Sequence, residues 1–378
     1  MRTTSPGHRR SIDEILDGAF TIEHRASAQK FFDGAAQSIS RLARLRTTPQ
    51  TPPKHTEGPW VSDHVLRMLT VIDAIANGFS VQESEEAGSD PIITLALHDA
   101  ENAARESPAL FRAYALIHDI AKPDRLLLVA NPGSAGEKEG FVRSGRRANE
   151  YSTESEVIRF DKMRRAGLAE GIEATFDDAD RAVIAPEYAA DREAIVRFCG
   201  LEGAYVKFVM ELCWSHGDIA SFFVLPGNES AFLAFPARAG KAGINVERYL
   251  DALLTIALVD HGIGRMGPMG LIAHDVFHRF VHAEHAAMPE RHAAREARQA
   301  HARKARVKLI LAENGLDPAE IFLLLGTSLG PERGVIMHAI YDVIRGEGSV
   351  NTFGVHASVV QERAAKAAVA LAREGLSV

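Results

Sequence analysis

The chain has few cysteines and no long apolar segment. Cys199 and Cys213 are the only cysteines among 378 residues. Two cysteines are too few for a disulfide framework, so a reducing cytoplasm is the simplest expectation. No apolar run reaches the roughly 18 residues that a membrane helix needs, and the first twenty residues lack the apolar block of a secretory signal. We therefore expect neither secretion nor a membrane partner.

A large excess of one charge is also missing. The 43 basic and 50 acidic side chains leave a net charge of -7, and 46% of the residues are hydrophobic. These proportions are typical of a soluble globular protein and exclude a chain that is basic throughout and coats nucleic acid. Histidine is the one high count, with sixteen residues, so their positions carry most of the functional information.

Strand patterns are scarce, and helical periodicity predominates. Only residues 126–129 and 182–184 have the apolar, β-branched character of strands. Apolar residues recur at spacings of three and four elsewhere, for example at Val61, Val65, Met68 and Ile72. We expect an all-α fold with helices near residues 11–44, 60–75, 91–106, 108–122, 154–170, 190–200, 203–224 and 245–262.

Changes in composition predict three regions. Residues 1–57 would form an N-terminal helix and a proline-rich linker, since residues 46–59 contain four prolines. Residues 58–267 would form the main helical domain, with a mobile loop rich in Gly, Arg and Lys at 130–150. Residues 268–378 would form a separate helical lobe. Its segment 291–308 carries seven Arg or Lys residues and one Glu.

The sharpest local motif is LIHDIAKP at residues 116–123. His118 continues an apolar stripe that includes Tyr114 and Ile117, and Pro123 is expected to end the helix. An imidazole nitrogen and a carboxylate oxygen at the buried end of a helix can bind one cation from adjacent directions. Zn, Mn, Fe, Co or Ni would accept this pair of ligands.

Further ligands are available on the apolar faces of other helices. His64 lies three residues after Val61 and four before Met68. Asp260 ends the apolar stripe of the 245–262 helix, where a buried carboxylate is costly unless a cation neutralises it. His216 lies three residues after Cys213 and could be a further ligand or a core histidine.

A second His-Asp pair competes with the first. His98 stands 34 residues beyond His64, and His118 stands 54 residues beyond it. Sequence separation alone does not choose between the two pairs. The 98–99 pair lacks the Lys-Pro that follows in LIHDIAKP. We therefore expect it to be an ordinary helix surface pair.

The order His64, His118-Asp119, Asp260 resembles the H…HD…D signature of the HD-domain superfamily of metal-dependent phosphohydrolases. The segments that match are PWVSDHVLRML, LIHDIAKP and ALVDHGIGR, and the resemblance covers residues 58–265. It implies a helical bundle in which His64, His118, Asp119 and Asp260 bind a divalent transition metal. It also implies hydrolysis of a phosphate ester in a nucleotide or another phosphorylated small molecule.

A second resemblance concerns the C-terminal lobe. Residues 323–352, LLLGTSLGPERGVIMHAIYDVIRGEGSVNT, are similar to the C-terminal arm of bacterial tRNA nucleotidyltransferases and poly(A) polymerases. The catalytic head of that family, with its Gly-Ser and paired aspartates, has no counterpart here, so nucleotide addition is not implied. A noncatalytic RNA- or tRNA-binding module is the alternative function, with Arg295, Arg298 and Arg303 as candidate RNA contacts.

The chain departs from the dinuclear HD enzymes at one position. These enzymes usually have a further histidine after the HD pair, where this chain has Ser152, Thr153 or Glu154. The departure favours a single metal ion and argues against a di-iron oxygenase of the same fold. A two-metal site that uses His216 and Glu154 remains open.

The residues around the HD pair indicate how hydrolysis would proceed. Asp119 would bind the metal and orient a water molecule, and Lys122, one turn after His118, would stabilise charge on the phosphate. Arg143, Arg146 and Arg147 are candidate phosphate contacts, because guanidinium groups match phosphate geometry. The sequence does not identify the substrate.

Overall fold

A computed structural model describes residues 22–49, 58, 60–81, 90–130, 146–147, 172–176, 182–223, 227–262, 268–325, 332–346 and 357–378. Helices form most of this part of the chain, in agreement with the predicted all-α fold. The helix predicted at 154–170 lies outside the described residues. The structure divides into two compact units, residues 1–289 and 290–378.

The first unit is a bundle of helices. In chain order these are α1 (Ile22–Ser38), α2 (Ser40–Arg44), α3 (Val61–Ala76), α4 (Pro91–Glu106), α5 (Pro108–Ile117), α6 (Lys122–Arg125), α7 (Ala189–Phe198), α8 (Ala204–Phe222), α9 (Ala234–Ala242), α10 (Val246–Ile256) and α11 (Pro268–Ala287). A π-helical segment, Ala257–Gly262, follows α10. Short 3₁₀ helices occur at Pro186–Tyr188 and Glu229–Leu233.

One small antiparallel sheet interrupts the bundle. Strand β1 (Leu126–Ala130) lies between β2 (Arg146–Arg147) and β3 (Ile172–Phe176). Leu127 pairs with Arg147 on one side and Thr175 on the other. Both ends of the predicted 130–150 loop therefore include strand residues. Residues 182–184 are not a strand but a turn before the first 3₁₀ helix.

The N-terminal helices belong to the core of the first unit. Helix α1 packs against α3, and Phe32 and Leu42 are fully buried in the same hydrophobic cluster as Val65 and Ile72. The predicted separation of residues 1–57 from the main domain therefore does not hold for α1 and α2, because their apolar faces are buried against it.

The division between the units also differs from the predicted boundary at 267–268. Helix α11 packs against the π-helical segment and the second 3₁₀ helix. Its Phe280 ring contacts Phe223, Phe232 and Phe235, with centroid separations of 5.3–5.8 Å. This aromatic cluster assigns α11 to the first unit, and the division follows at Pro289.

The second unit has its own helices and core. It contains α12 (Pro289–Glu313), α13 (Pro318–Leu325), α14 (Glu332–Ile344) and α15 (Ala357–Arg373). Leu311, Leu316, Ile321, Ile340 and Val360 are buried together. Among the helices that the structure describes, none is long and apolar enough to span a membrane.

Candidate metal centre

His118 and Asp119 lie in a turn that follows α5. The sequence predicted a helix up to Pro123, but α5 ends at Ile117. The Ile120 and Lys122 amides bond to carbonyls three residues earlier, those of Ile117 and Asp119. Proline at 123 has no amide hydrogen to continue the α-helical ladder, so the chain tightens before it. This turn places both side chains inside the bundle, at 2% and 1% exposure.

One ring nitrogen of His118 is hydrogen-bonded to the backbone, and the other faces the cluster. Its Nδ1 lies 2.9 Å from the Ala115 carbonyl oxygen, to which it donates. Nε2 lies 3.4 Å from Oδ2 of Asp119. Burial lowers the pKa of His118 to about 4, so the ring is neutral at pH 7. A neutral imidazole whose Nδ1 is held by a carbonyl group can bind a metal through Nε2.

Asp119 offers an oxygen that no described group uses. Its Oδ2 accepts a hydrogen bond from Lys122 Nζ at 2.8 Å, whereas Oδ1 is buried and has no hydrogen-bond partner among the described residues. Burial opposes ionisation of Asp119, but the neighbouring His118 and Lys122 favour it more strongly and hold the pKa below its ordinary value. A buried, charged oxygen without a partner is costly unless a cation binds it.

His64 and Asp260 join the cluster from two distant helices. Asp63 accepts the Trp60 amide at 2.8 Å and so caps the start of α3, whose buried face carries His64. The His64 Nε2 atom lies 3.0 Å from Oδ1 of Asp260. Asp260 is fully buried. Burial alone would raise its pKa, but His216 and His261 outweigh this effect and hold the pKa well below its usual range.

The other oxygen of Asp260 faces two more histidines. His216, on the buried side of α8, has Nε2 2.7 Å from Oδ2 of Asp260. The His261 ring stacks on the His216 ring at 5.0 Å, with an interplanar angle of 11°. The His261 Nε2 atom lies 3.8 Å from the same oxygen. The carboxylate of Asp260 therefore lies between His64 on one side and the His216–His261 pair on the other.

Sequence reasoning did not single out His261. In a regular α-helix, neighbouring residues point about 100° apart, so the residue after a buried Asp260 is expected to face away. The π-helical segment Ala257–Gly262 changes this geometry, and both residues are buried. Such π-helical turns are frequent at functional sites. The only signal in the sequence was the adjacent position itself, in ALVDHGIGR.

Two buried groups of side chains could each hold a metal ion. One is His64, His118 and Asp119, and the other is His216, Asp260 and His261. Within each group the ligand atoms lie within 4.8 Å of one another. The imidazole and carboxylate donors suit Zn, Mn, Fe, Co or Ni. The predicted partner of His216 in a two-metal site, Glu154, lies outside the described residues together with Ser152 and Thr153.

The competing pair lies apart from this cluster. On helix α4 the His98 side chain is 39% exposed, and its Nδ1 lies 3.4 Å from Asp99 and 3.2 Å from the Asn102 amide. Neither residue belongs to a group of metal-ligand geometry. The two His-Asp pairs therefore differ in how deeply they are buried, and the dipeptide sequence does not reveal this difference.

The structure describes the predicted basic contacts only in part. Arg143 falls outside the described residues, and Arg146 and Arg147 form β2, with side chains that the description does not cover. Of the candidate RNA contacts in the second unit, Arg298 and Arg303 are exposed, whereas Arg295 is only 1% exposed. Arg295 therefore does not present a free cationic surface.

Comparison with known proteins does not assign a family to the chain. The chain matches no protein-family model, no curated protein and no solved structure. The buried histidines and aspartates, and the residues that contact them, are therefore the features from which a function can be inferred.

Proposed function

We propose that the chain is a metal-dependent phosphohydrolase or phosphodiesterase of the HD type, which acts on a nucleotide or on the terminal phosphate of an RNA. One observation carries the proposal. His64, His118-Asp119 and Asp260, predicted as ligands from three separate segments, lie in one buried cluster. A purely structural role leaves the Oδ1 atom of Asp119 unexplained, because a buried carboxylate oxygen without a hydrogen-bond partner among the described residues is costly unless a cation binds it.

The cluster supplies the ligands that this chemistry requires. His64, His118, Asp119 and Asp260 would hold the ion, with His216 and His261 available to the same ion or to a second one. A divalent ion bound there polarises a phosphoryl oxygen and lowers the pKa of a water molecule. The proposed ion is a divalent transition metal, and the candidates are Mn, Co, Ni, Zn and Fe.

Asp119 and Lys122 are the residues we assign to the chemical step. The Oδ1 atom of Asp119 makes no hydrogen bond within the described structure, so it is available to the ion, and the carboxylate would help to orient a water molecule bound to the same ion. Lys122 is the most exposed of the residues around the ion site, at 9%, and its Nζ lies 2.8 Å from Oδ2 of Asp119. A phosphate that approaches Asp119 from this side would meet the ammonium group, which stabilises negative charge on the phosphoryl oxygens.

Metal analysis with a matched pair of variants tests the proposal. Purified protein should contain at least one equivalent of a transition metal. It should also hydrolyse one member of a panel of nucleotides, cyclic nucleotides and tRNA in the presence of Mn²⁺, Co²⁺ or Ni²⁺. His118→Ala and Asp119→Ala should abolish both properties. His98→Ala and Asp99→Ala make the same changes in the partly exposed pair on α4 and should leave both properties intact.

The outcomes separate the proposal from its rivals. Protein that neither contains nor takes up a transition metal contradicts it. A noncatalytic RNA-binding module would bind RNA without metal and hydrolyse nothing in the panel. A di-iron oxygenase would retain iron and show absorption in the visible range, so a colourless, iron-free and hydrolytically active preparation removes that alternative.

A further inference from the structure

Helix α12 contains a segment without acidic side chains. Residues 297–312 include Arg298, Arg303, Lys304, Arg306 and Lys308 and have no Asp or Glu. The segment has no Phe, Tyr or Trp either. None of these residues belongs to the two groups that could hold a metal ion, so they have no part in the proposed metal binding.

The cations of α12 are of three kinds in the structure: buried, ion-paired and exposed. Arg291 and Arg295 are buried, at 6% and 1% exposure. Arg306 forms an ion pair with Glu374, in which Nε lies 2.7 Å from a carboxylate oxygen. The remaining four basic residues of the run are exposed: Arg298, Arg303, Lys304 and Lys308.

Three of the exposed cations share one side of the helix. At about 100° per residue, Arg298, His301, Lys304 and Lys308 fall within an arc of about 120°. From Arg298 to Lys308 this row is about 15 Å long, at 1.5 Å per residue. Alanines at 297, 305 and 312 lie on the same side. Within the described structure, Lys304 and Lys308 take part in no ion pair.

We propose that this row of cations on α12 binds the phosphodiester backbone of a nucleic acid strand. A polyanion with regularly repeated charges matches a row of exposed cations that has no acid among them, and binding releases the counterions of the strand. Because the segment lacks aromatic rings on which bases could stack, it would contact phosphates without choosing a base sequence. Ala297, Ala305 and Ala312, on the same side of α12, lack the apolar bulk with which a helix inserts into a lipid bilayer.

The experiment uses the full chain and fluorescent oligonucleotides of about 20 nucleotides, longer than one typical single-strand site. Fluorescence anisotropy is recorded with oligo(U) RNA and with oligo(dT) DNA in the presence of EDTA, so that binding is read without the metal centre. The test variant combines Arg298→Gln, Lys304→Gln and Lys308→Gln. The control combines Arg306→Gln, Arg345→Gln and Lys366→Gln, which remove the same charge from cations paired with Glu374, Asp342 and Glu362.

The test variant should bind at least about tenfold more weakly at low salt, and its plot of log affinity against log salt should lose a slope of about 2. The control should stay within about threefold of the unmodified chain. Equal affinity for RNA and DNA supports recognition of the phosphodiester alone, and a preference for RNA supports an added contact to the 2′-hydroxyl.

Three results would overturn the proposal. The first is no binding of either oligonucleotide by the unmodified chain, and the second is an equal loss of affinity in test and control variants. The third is binding to phosphatidylserine vesicles without binding to oligonucleotides, which would assign the row to a lipid surface. Circular dichroism of both variants checks that α12 remains helical. None of these results depends on whether the metal-dependent hydrolysis is found.

Discussion

The phenol oxygen of Tyr114 lies 3.2 Å from Oδ2 of Asp260, 146 positions away in the sequence. The ring of the same tyrosine stacks on His118 at a centroid distance of 5.1 Å. Burial and the charge of Asp260 raise the pKa of Tyr114 well above its ordinary value, so its hydroxyl remains a hydrogen-bond donor. One buried tyrosine thus holds two of the proposed ligands in place.

Tyr114→Phe should weaken metal binding without unfolding the protein. The change removes only the hydroxyl group that orients Asp260, and loss of such a supporting contact typically costs about 10–100-fold in metal affinity. The affinity is measured by competition with a chelating dye. Tyr249→Phe is the control, because that hydroxyl bonds to Ser215 at 2.6 Å rather than to a proposed ligand. Equal metal affinities of the two variants would contradict an orienting role of Tyr114.

Lys122→Gln should separate metal binding from hydrolysis. If Lys122 stabilises charge on the phosphate, its loss lowers kcat by about 100-fold or more, while the metal content stays at that of the unmodified chain. Arg125→Gln, at a half-buried side chain 3.8 Å from Glu187, should change kcat little. If the variant loses the metal together with the activity, the role of Lys122 would instead be to keep Asp119 ionised.

The metal-free protein should lose stability as the pH falls from 7 to 5. The pKa of His118 is about 4 in the folded chain and about 6.5 in the unfolded chain, so the unfolded chain binds more protons between these values. The contribution of His118 falls by about 2 kcal/mol over this pH range. Urea unfolding in EDTA at both pH values, followed by tryptophan fluorescence, measures the change.

His118→Gln provides the comparison for the pH experiment, since glutamine does not titrate. The variant should show a smaller loss of stability between pH 7 and 5 than the unmodified chain. An identical loss would mean that other groups dominate the acid sensitivity. The two tryptophans of the chain, Trp60 and Trp214, both belong to the first unit, so the fluorescence signal reports on the unit that contains His118.

Phe280→Ala should destabilise the first unit by about 3–5 kcal/mol, the usual cost of deleting a buried aromatic ring. The prediction follows from the contacts of Phe280 with Phe223, Phe232 and Phe235. Tryptophan fluorescence during urea unfolding again reports on the first unit. Leu233→Ala, at a side chain of the same unit that is 55% exposed, should change this transition by less than about 0.5 kcal/mol. Unchanged unfolding of Phe280→Ala would contradict the assignment of α11 to this unit.

Local periodicity predicted much of the candidate site. The spacing of apolar residues around His64, His216 and Asp260 placed each on a buried helix face, and all three are buried. Periodicity succeeds here because a single helix face is defined by residues three and four apart. It could not choose between His98-Asp99 and His118-Asp119, because the choice depends on which helix is covered by others. It also could not find His261, whose burial requires a π-helical turn.

For the basic run of α12, by contrast, the sequence did not predict which side chains are exposed. The sequence counts seven cations in residues 291–308, but packing buries Arg291 and Arg295 and pairs Arg306 with Glu374. A count of charges does not show which of them reach solvent. Burial therefore removes Arg295 from the candidate contacts. The helical periodicity places Arg303 outside the row of Arg298, Lys304 and Lys308 that we propose.

The sequence by itself determined the helical class, the buried faces and the side-chain types available as candidate ligands, because these depend on neighbours within a few turns of one chain segment. Tertiary structure decided which ligands meet. The contact of His64 with Asp260 joins residues 196 positions apart, and Tyr114 reaches the same carboxylate from a third helix. Such contacts depend on how whole helices pack against one another, and no local spacing encodes that arrangement.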